Sequence, residues 1–338
     1  MTDKKPINLA LQGGGAHGAF TWGVIDRLLE DGRVHFEGIS GTSAGAMNAA
    51  VVADGLVAGG PDGARRALHD FWTAVAREGQ KSPIQRNPVN VLLGDWSLDN
   101  SPGYMAMDLV SRLFSPYELN PLNLNPLRDL LEDHVDFERV RHCKETKLFI
   151  SATNVHTGRV RVFDTPEVTC DTVMASACLP FLFRAVEIDG VPYWDGGYMG
   201  NPSLFPFFNA CSTSDVLLIQ INPMTREATP ATATEITNRL NEITFNASLQ
   251  KELYHWAFVS WLIEEGKLDP ADYKQILLHR IHAVEEMRKL AASSKMNAEW
   301  AFLEHLRDLG RDSAAQWLET SYPGVGHHST VDIRELCA

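Results

Sequence analysis

The sequence predicts a three-layer α/β sandwich with a largely parallel central sheet, continued by a C-terminal helical extension. Three observations carry that prediction. Short apolar runs at residues 7–11, 34–40, 148–151, 160–163 and 216–221 alternate with helix-like stretches, the pattern of a sheet covered by helices on both faces. The first two runs end in glycine-rich turns that open directly into helix-like segments. Beyond residue 225 the strand-like runs stop, and segments 235–265, 270–292 and 297–319 read as three helices with apolar residues at three- and four-residue spacing. The chain therefore divides into a catalytic domain at 1–225 and a helical extension at 226–338.

The first element, Ile7-Asn8-Leu9-Ala10-Leu11, reads as a short buried strand that ends at Gly13-Gly14-Gly15-Ala16-His17-Gly18 and is followed by a helix over 19–30. Consecutive glycines at a helix N-terminus leave backbone N–H groups bare and aligned with the positive end of the helix dipole, so the loop suits an anion. Gly13, Gly15 and Gly18 also satisfy G-x-G-x-x-G, which keeps a dinucleotide pyrophosphate open as the client. That reading needs an acidic residue at the end of the second strand. Glu37 has roughly the right spacing but lies inside the 34–40 run.

The second strand ends instead in Gly41-Thr42-Ser43-Ala44-Gly45, with a helix beginning near residue 46. A serine at a sharp strand-to-helix turn, flanked two residues away by glycines, is a nucleophile elbow. By composition alone G-x-S-x-G arises in roughly one such chain in ten, and the plain alternative is that Ser43 caps the following helix. The preceding glycine loop favours the elbow, because bare amides beside an attacking serine stabilise the oxyanion that attack creates.

A serine needs a base. Asp195, in Tyr193-Trp194-Asp195-Gly196-Gly197, stands before another tight turn. A histidine triad in the order Ser, Asp, His would draw on His255, His279, His282, His305, His327 or His328, of which the first five include helix-like positions better suited to packing or surface roles. A carboxylate partly desolvated by Tyr193 and Trp194 would have a raised pKa and serve as a base on its own.

Taken together, these motifs resemble the patatin-like phospholipases over residues 9–223. The resemblance rests on the loop Gly13–Gly18, the elbow Gly41–Gly45, the Asp195-Gly196-Gly197 motif, and the segments 151–158 and 175–180. It implies a lipid acyl hydrolase in which Ser43 is the nucleophile, Asp195 the sole base, and Gly13, Gly14 and Gly15 the oxyanion hole, with Gly18, Gly41, Gly45, Gly196 and Gly197 shaping the turns. It implies no cofactor and no metal. His17 departs from the Arg or Lys common in that loop, and would add charge only below its pKa, about 6.5 unperturbed; hydrogen bonding to a backbone carbonyl is the simpler role.

Composition narrows the partners. Thirty basic against 43 acidic residues give a net charge of −13, and no basic cluster exceeds Arg65-Arg66, which argues against nucleic-acid binding and leaves peripheral, hydrophobic contact as the most a membrane would receive. No segment reads as a signal peptide or a ~20-residue membrane span, so a cytoplasmic protein is expected. Five cysteines without C-x-x-C spacing fit reduced structural thiols. Residues 81–126, rich in Pro and Asn, read as a long loop carrying the apolar patch Val89-Asn90-Val91-Leu92-Leu93, expected to cap an acyl pocket together with 179–183 and 204–208. An oxidoreductase built on the glycine loop and a non-catalytic protein acting through its helical tail are the competing functions. Phospholipid, lysophospholipid, neutral glyceride and polyester all fit an ester on an apolar chain.

Overall fold

The computed structural model describes residues 4–269 and 272–337. Eight strands form one sheet: β1 Lys5–Leu11, β2 Val34–Gly41, β3 Lys147–Asn154, β4 Val160–Asp164, β5 Val186–Ile188, β6 Val191–Asp195, β7 Asp215–Gln220 and β8 Leu277–His282. The order is β5-β6-β3-β2-β1-β7-β8, with β4 also paired to β3. The five strands from β3 to β8 run parallel, while β4 and β6 pair antiparallel to β3 and β5 antiparallel to β6. The largely parallel sandwich is therefore present, and the antiparallel edge carries Asp195.

Alternation along the central strands sends side chains to two cores, since successive residues point to opposite faces. Leu9, Leu11, Ile39, Leu148, Ile150, Leu217 and Ile219 share one cluster with α1 Gly18–Asp31, α2 Ala44–Gly79 and the helix Trp300–Thr320. Ala10, Phe149, Val216, Leu218 and Leu278 face the other way, onto Leu249, Leu253 and Trp256 of the long helix Ala233–Glu264. Helix α1 ends at Gly32, whose φ of 75° closes a left-handed cap on Leu28 O at 3.1 Å. Helix α2 is broken at Gly59–Gly60, just before Pro61.

The tail differs from expectation in its middle. Residues 277–282, inside the segment read as a helix over 270–292, form β8 and extend the sheet beside β7 in parallel register; residues 270 and 271 of that segment lie outside the described residues. Leu277, Leu278 and Ile281 mimic helical spacing, but the open edge of β7 offers a full row of backbone partners, and tertiary pairing outweighs so weak a local pattern. The flanking helices at Ala233–Glu264 and Trp300–Thr320 are where the periodicity placed them.

Residues 81–126 are likewise not a bare loop. They hold the short helices Pro88–Leu93, Pro102–Leu113 and Pro116–Leu119. Each begins with proline at its first position, where the missing N–H costs nothing, and Asn87 and Ser101 cap the first two by accepting from Asn90 N and Tyr104 N. Leu92 and Leu93 are 86% and 74% exposed. Of the other two expected cap segments, Phe181 is exposed, whereas Leu204 and Phe207 are fully buried in the second core. Leu204 and Phe207 are thus core, not cap, while Phe205 between them is 48% exposed. Among the described residues no helix is long and apolar enough to cross a membrane.

Candidate active site

The site is built at the C-terminal edge of the parallel strands, where β1 delivers the glycine loop and β2 the serine. Ser43 sits between β2 and α2 at φ 54°, ψ −121°, a conformation that non-glycine residues adopt only when the surroundings enforce it. The enforcement is visible. A Cβ on Gly45 would overlap Leu11 O, so the turn packs directly on the end of β1. The Ser43 amide donates to Ser176 Oγ at 2.9 Å, and Thr42 Oγ1 donates to Gly200 O at 2.6 Å. Ser43 makes no side-chain capping bond to α2, which removes the plain capping role.

Asp195 arrives on β6 opposite Ala152. Its amide donates to Cys178 O at 2.8 Å, and its carbonyl accepts from Thr153 Oγ1 at 2.8 Å. One carboxylate oxygen, Oδ1, accepts from Gly197 N at 2.6 Å; the other, Oδ2, is buried without a hydrogen-bond partner among the described residues. Burial pushes the carboxyl up to about 7, against the Gly197 N–H, the nearby Ser43 hydroxyl and the more distant Lys295 ammonium, all of which favour the anion. Ser43 is therefore close enough to influence the carboxyl without a formed hydrogen bond, the loose geometry common in substrate-free sites. Trp194 alternates to the other face of β6, so the burial comes from neighbouring elements more than from that side chain. A Cβ on Gly196 would overlap Ser151 O, and one on Gly197 the Phe245 ring.

The glycine loop differs in detail from the sequence expectation. The Gly13 amide already donates to Asn201 Oδ1 at 2.7 Å. The amides of Gly14 and Gly15 have no hydrogen-bond partner among the described residues. Gly15 has φ 58°, and a Cβ there would overlap Lys295 O. A Cβ on Gly18 would press on Ala44, and one on Gly41 on the Gly45 carbonyl. Buried amide side chains hold the loop from behind. Gln12 Oε1 accepts from Ile221 N and Asn222 N at 3.0 and 2.9 Å, and Asn222 Nδ2 donates to Gly13 O at 2.8 Å. Gln12 Nε2 donates to Asn246 Oδ1 at 3.1 Å.

His17 is buried and pairs through Nε2 with Ser294 Oγ at 2.7 Å, a hydroxyl and not a backbone carbonyl. Burial first, and the Lys295 charge second, lower its pKa to about 3. It is neutral across the ordinary pH range, so the expected pH-sensitive charge at this position is absent. Glu37 accepts from Ser212 N and Thr213 N at 2.5 and 2.8 Å, before the start of β7 and thus at the opposite edge of the sheet from the glycine loop. It holds no position from which to bind a ribose, and the dinucleotide reading loses its acidic residue. Among the later histidines, His279 is buried on β8 between Asp215 Oδ1 and Thr330 Oγ1, and no described histidine bonds to Ser43 or Asp195.

Ser176, Asn201, Asn222, Asn246 and Lys295 did not stand out in the sequence as parts of this site. Only Ser176 lay in a motif-bearing segment.

A mixed, mostly parallel α/β sheet with a strained serine at an elbow, a glycine loop beside it and a buried carboxyl opposite defines a class of serine acyl hydrolases. Residues 9–208 match the Patatin-like phospholipase family, and the chain belongs to that family, whose members are carboxylic ester hydrolases acting on lipid acyl groups. No curated protein matches it in sequence. Among solved structures it is similar to VipD from Legionella pneumophila, at 15% identity over 90% of this chain and 67% of that one, with a TM-score of 0.37. It is similar also to the type III effector ExoU, known in complex with SpcU from Pseudomonas aeruginosa, at 14% identity over 94% of this chain with a TM-score of 0.37. The chain spans 53% of the length of that ExoU structure.

Proposed function

We propose that this protein hydrolyses phospholipid or lysophospholipid esters through a Ser43–Asp195 dyad, with the amides of Gly14 and Gly15 as the oxyanion hole. The observation that carries the proposal is the pairing of a serine at positive φ, free of any capping bond, with a buried carboxyl whose second oxygen lacks a hydrogen-bond partner among the described residues.

Ser43 Oγ attacks the ester carbonyl carbon while Asp195 takes the hydroxyl proton. The carbonyl oxygen becomes negative beside two unengaged amides, an arrangement worth several kcal/mol when preorganised. Collapse breaks the C–O bond to the alcohol, which leaves with the proton held by Asp195. Water then attacks the acyl-serine, again losing its proton to Asp195, and collapse releases the fatty acid and restores the Ser43 hydroxyl. A carboxyl held up to about 7 is basic enough to accept these protons and acidic enough to return them.

The exposed apolar helices between residues 88 and 119 support a lipid client and a capping role. They join the site through residues 178–185, because Ala185 N donates to Tyr117 Oη at 3.3 Å and Arg184 Nη1 to Pro121 O at 3.1 Å.

Fluorophosphonate labelling and hydrolysis of a short-chain ester test the dyad. Ser43→Ala should lose both signals, and Asp195→Asn should lower turnover by about 10³-fold or more. Full hydrolysis by either variant would sink the mechanism.

A further inference from the structure

We propose that Lys295 is a positioning residue for acyl transfer: its ammonium, anchored on Asn222, fixes the glycine loop and supplies the positive field for the carboxylic-ester oxyanion that the loop's own histidine does not provide. The inference rests on the hydrolase reading above and adds a residue lying far outside the span matched to the family.

Lys295 touches the loop from two sides. Its backbone carbonyl fills the place a Gly15 side chain would occupy. Its Nζ donates to Asn222 Oδ1 at 2.9 Å, while Nδ2 of the same Asn222 donates to Gly13 O at 2.8 Å. One side chain therefore links the ammonium to the carbonyl at the head of the loop. The adjoining Ser294 holds His17, so the segment Ala292–Met296 clamps both ends of the glycine turn. The lysine is only partly exposed, and its ammonium is turned inward onto the buried Asn222, 5.5 Å from the centre of the Phe245 ring that packs on Gly197.

The charges facing this ammonium come from three elements. Glu242, on the helix Ala233–Glu264, is already paired with Arg226 at 2.5 Å and Arg239 at 3.1 Å. Asp195, at the end of β6, lies within its field. His17, from the glycine loop, is neutral. On the short helix Val284–Arg288, Arg288 turns away to Glu285 and Thr225. With its main counter-charge shared by two guanidiniums, Lys295 retains a field that acts on Asp195 and on negative charge growing at Gly14 and Gly15. Burial lowers its pKa to about 8, opposed by Glu242 and Asp195, so this field fades on the alkaline side of neutrality.

Profiles of kcat and KM against pH on a soluble short-chain ester, with wild type, Lys295→Met and Lys295→Arg, test the role. In wild type the acid limb should fall near pH 7 and an alkaline limb near pH 8. Lys295→Met should lose about 10- to 100-fold in kcat, less than deletion of a direct oxyanion donor, with KM little changed. Its acid limb should move to higher pH, because a cation favouring the Asp195 anion is gone, and its alkaline limb near pH 8 should vanish. Lys295→Arg should recover most of kcat and also lack that limb. Wild-type kcat with an unmoved profile in folded Lys295→Met would overturn the proposal. Activity lost equally in both variants with unmoved limbs would overturn it too, as a purely structural role. If Lys295→Met does not fold, a wild-type alkaline limb retained by Lys295→Arg has the same force. Fluorophosphonate labelling of wild type separates the two levels: a labelled wild type with unaffected variants rejects Lys295 alone, whereas an unlabelled wild type rejects the hydrolase reading and this proposal with it.

Discussion

Asp195 is the residue whose environment departs furthest from its chemistry in water. An ordinary Asp carboxyl titrates near 3.8, and here burial raises it to about 7. A folded pKa above the unfolded one means that the folded state favours the protonated form. The stability it contributes is fully present below about pH 4 and is lost as pH rises through 7. Asp195→Asn removes that cost, so its Tm should exceed wild type's above pH 7 and converge with it below about pH 4. Three pKa units at about 1.36 kcal/mol each set a ceiling of ~4 kcal/mol. Thermal melts at pH 4 and pH 8 check it, and an equal difference at both would reject the buried-carboxylate account. On the proposed dyad the acid limb of kcat/KM for the free enzyme should fall near the same pH 7, since only the ionised carboxyl could accept the Ser43 proton.

At the scale of elements, the prolines of 81–126 carry the lesson. Read as punctuation, they suggested a loop. Pro88, Pro102, Pro116 and Pro126 instead each start a helix, with Asn or Ser before them. Proline is compatible with both, and the helix Pro102–Leu113 buries no residue that would betray it in the sequence. These helices leave apolar groups in water, which has a purpose only if something apolar meets them. Leu92→Asp combined with Leu93→Asp should leave hydrolysis of a soluble short-chain ester within about twofold and lower activity on phospholipid vesicles roughly tenfold or more, each buried leucine being worth ~1.5–3 kcal/mol. Equal activity on vesicles would remove the cap and its lipid contact. A second pair of elements, α1 and Trp300–Thr320, meets through glycines on both sides: a Cβ on Gly23 would overlap Arg307 O, and one on Gly310 would overlap Phe20 O. Gly310→Val should destabilise by about 3 kcal/mol, read as a fall in denaturant midpoint.

Over the whole molecule, the segment beyond residue 225 is woven into the part that bears the motifs. Strand β8 hydrogen-bonds along β7, the helix Ala233–Glu264 covers the second core, and Trp300–Thr320 packs on α1, where Arg311 pairs with Asp26 and Glu30. The domain division at 225/226 therefore makes a sharp prediction as a folding boundary. A chain ending at Thr225 would expose the edge of β7 and both apolar faces, and should be recovered as aggregate, without cooperative unfolding by circular dichroism or any fluorophosphonate labelling. A soluble, labelled fragment would establish 1–225 as an independent catalytic unit.

By itself the sequence determined five of the strands, β1 to β4 and β7, with the turns that follow β1 and β2, and the residues on which the backbone makes hard demands; β5, β6 and β8 were not legible in it. Gly41 must let the turn close on the Gly45 carbonyl, Ser43 must stand at a strand-to-helix turn, and Asp195 must precede two glycines. Each is a local requirement, met within a few residues, and so is written in consecutive letters. Tertiary structure alone decided which amides stay free, which cation serves the site, and where 277–282 belongs. Gly13 is taken by Asn201 from 188 positions away, and Ser43 is held by Ser176 from 133 away. Burial of Asp195 and neutrality of His17 likewise come from chain segments packed around them. Hydrogen bonds and dielectric environment belong to the pairs of segments that folding brings together, and no local pattern of residues records which pairs those are.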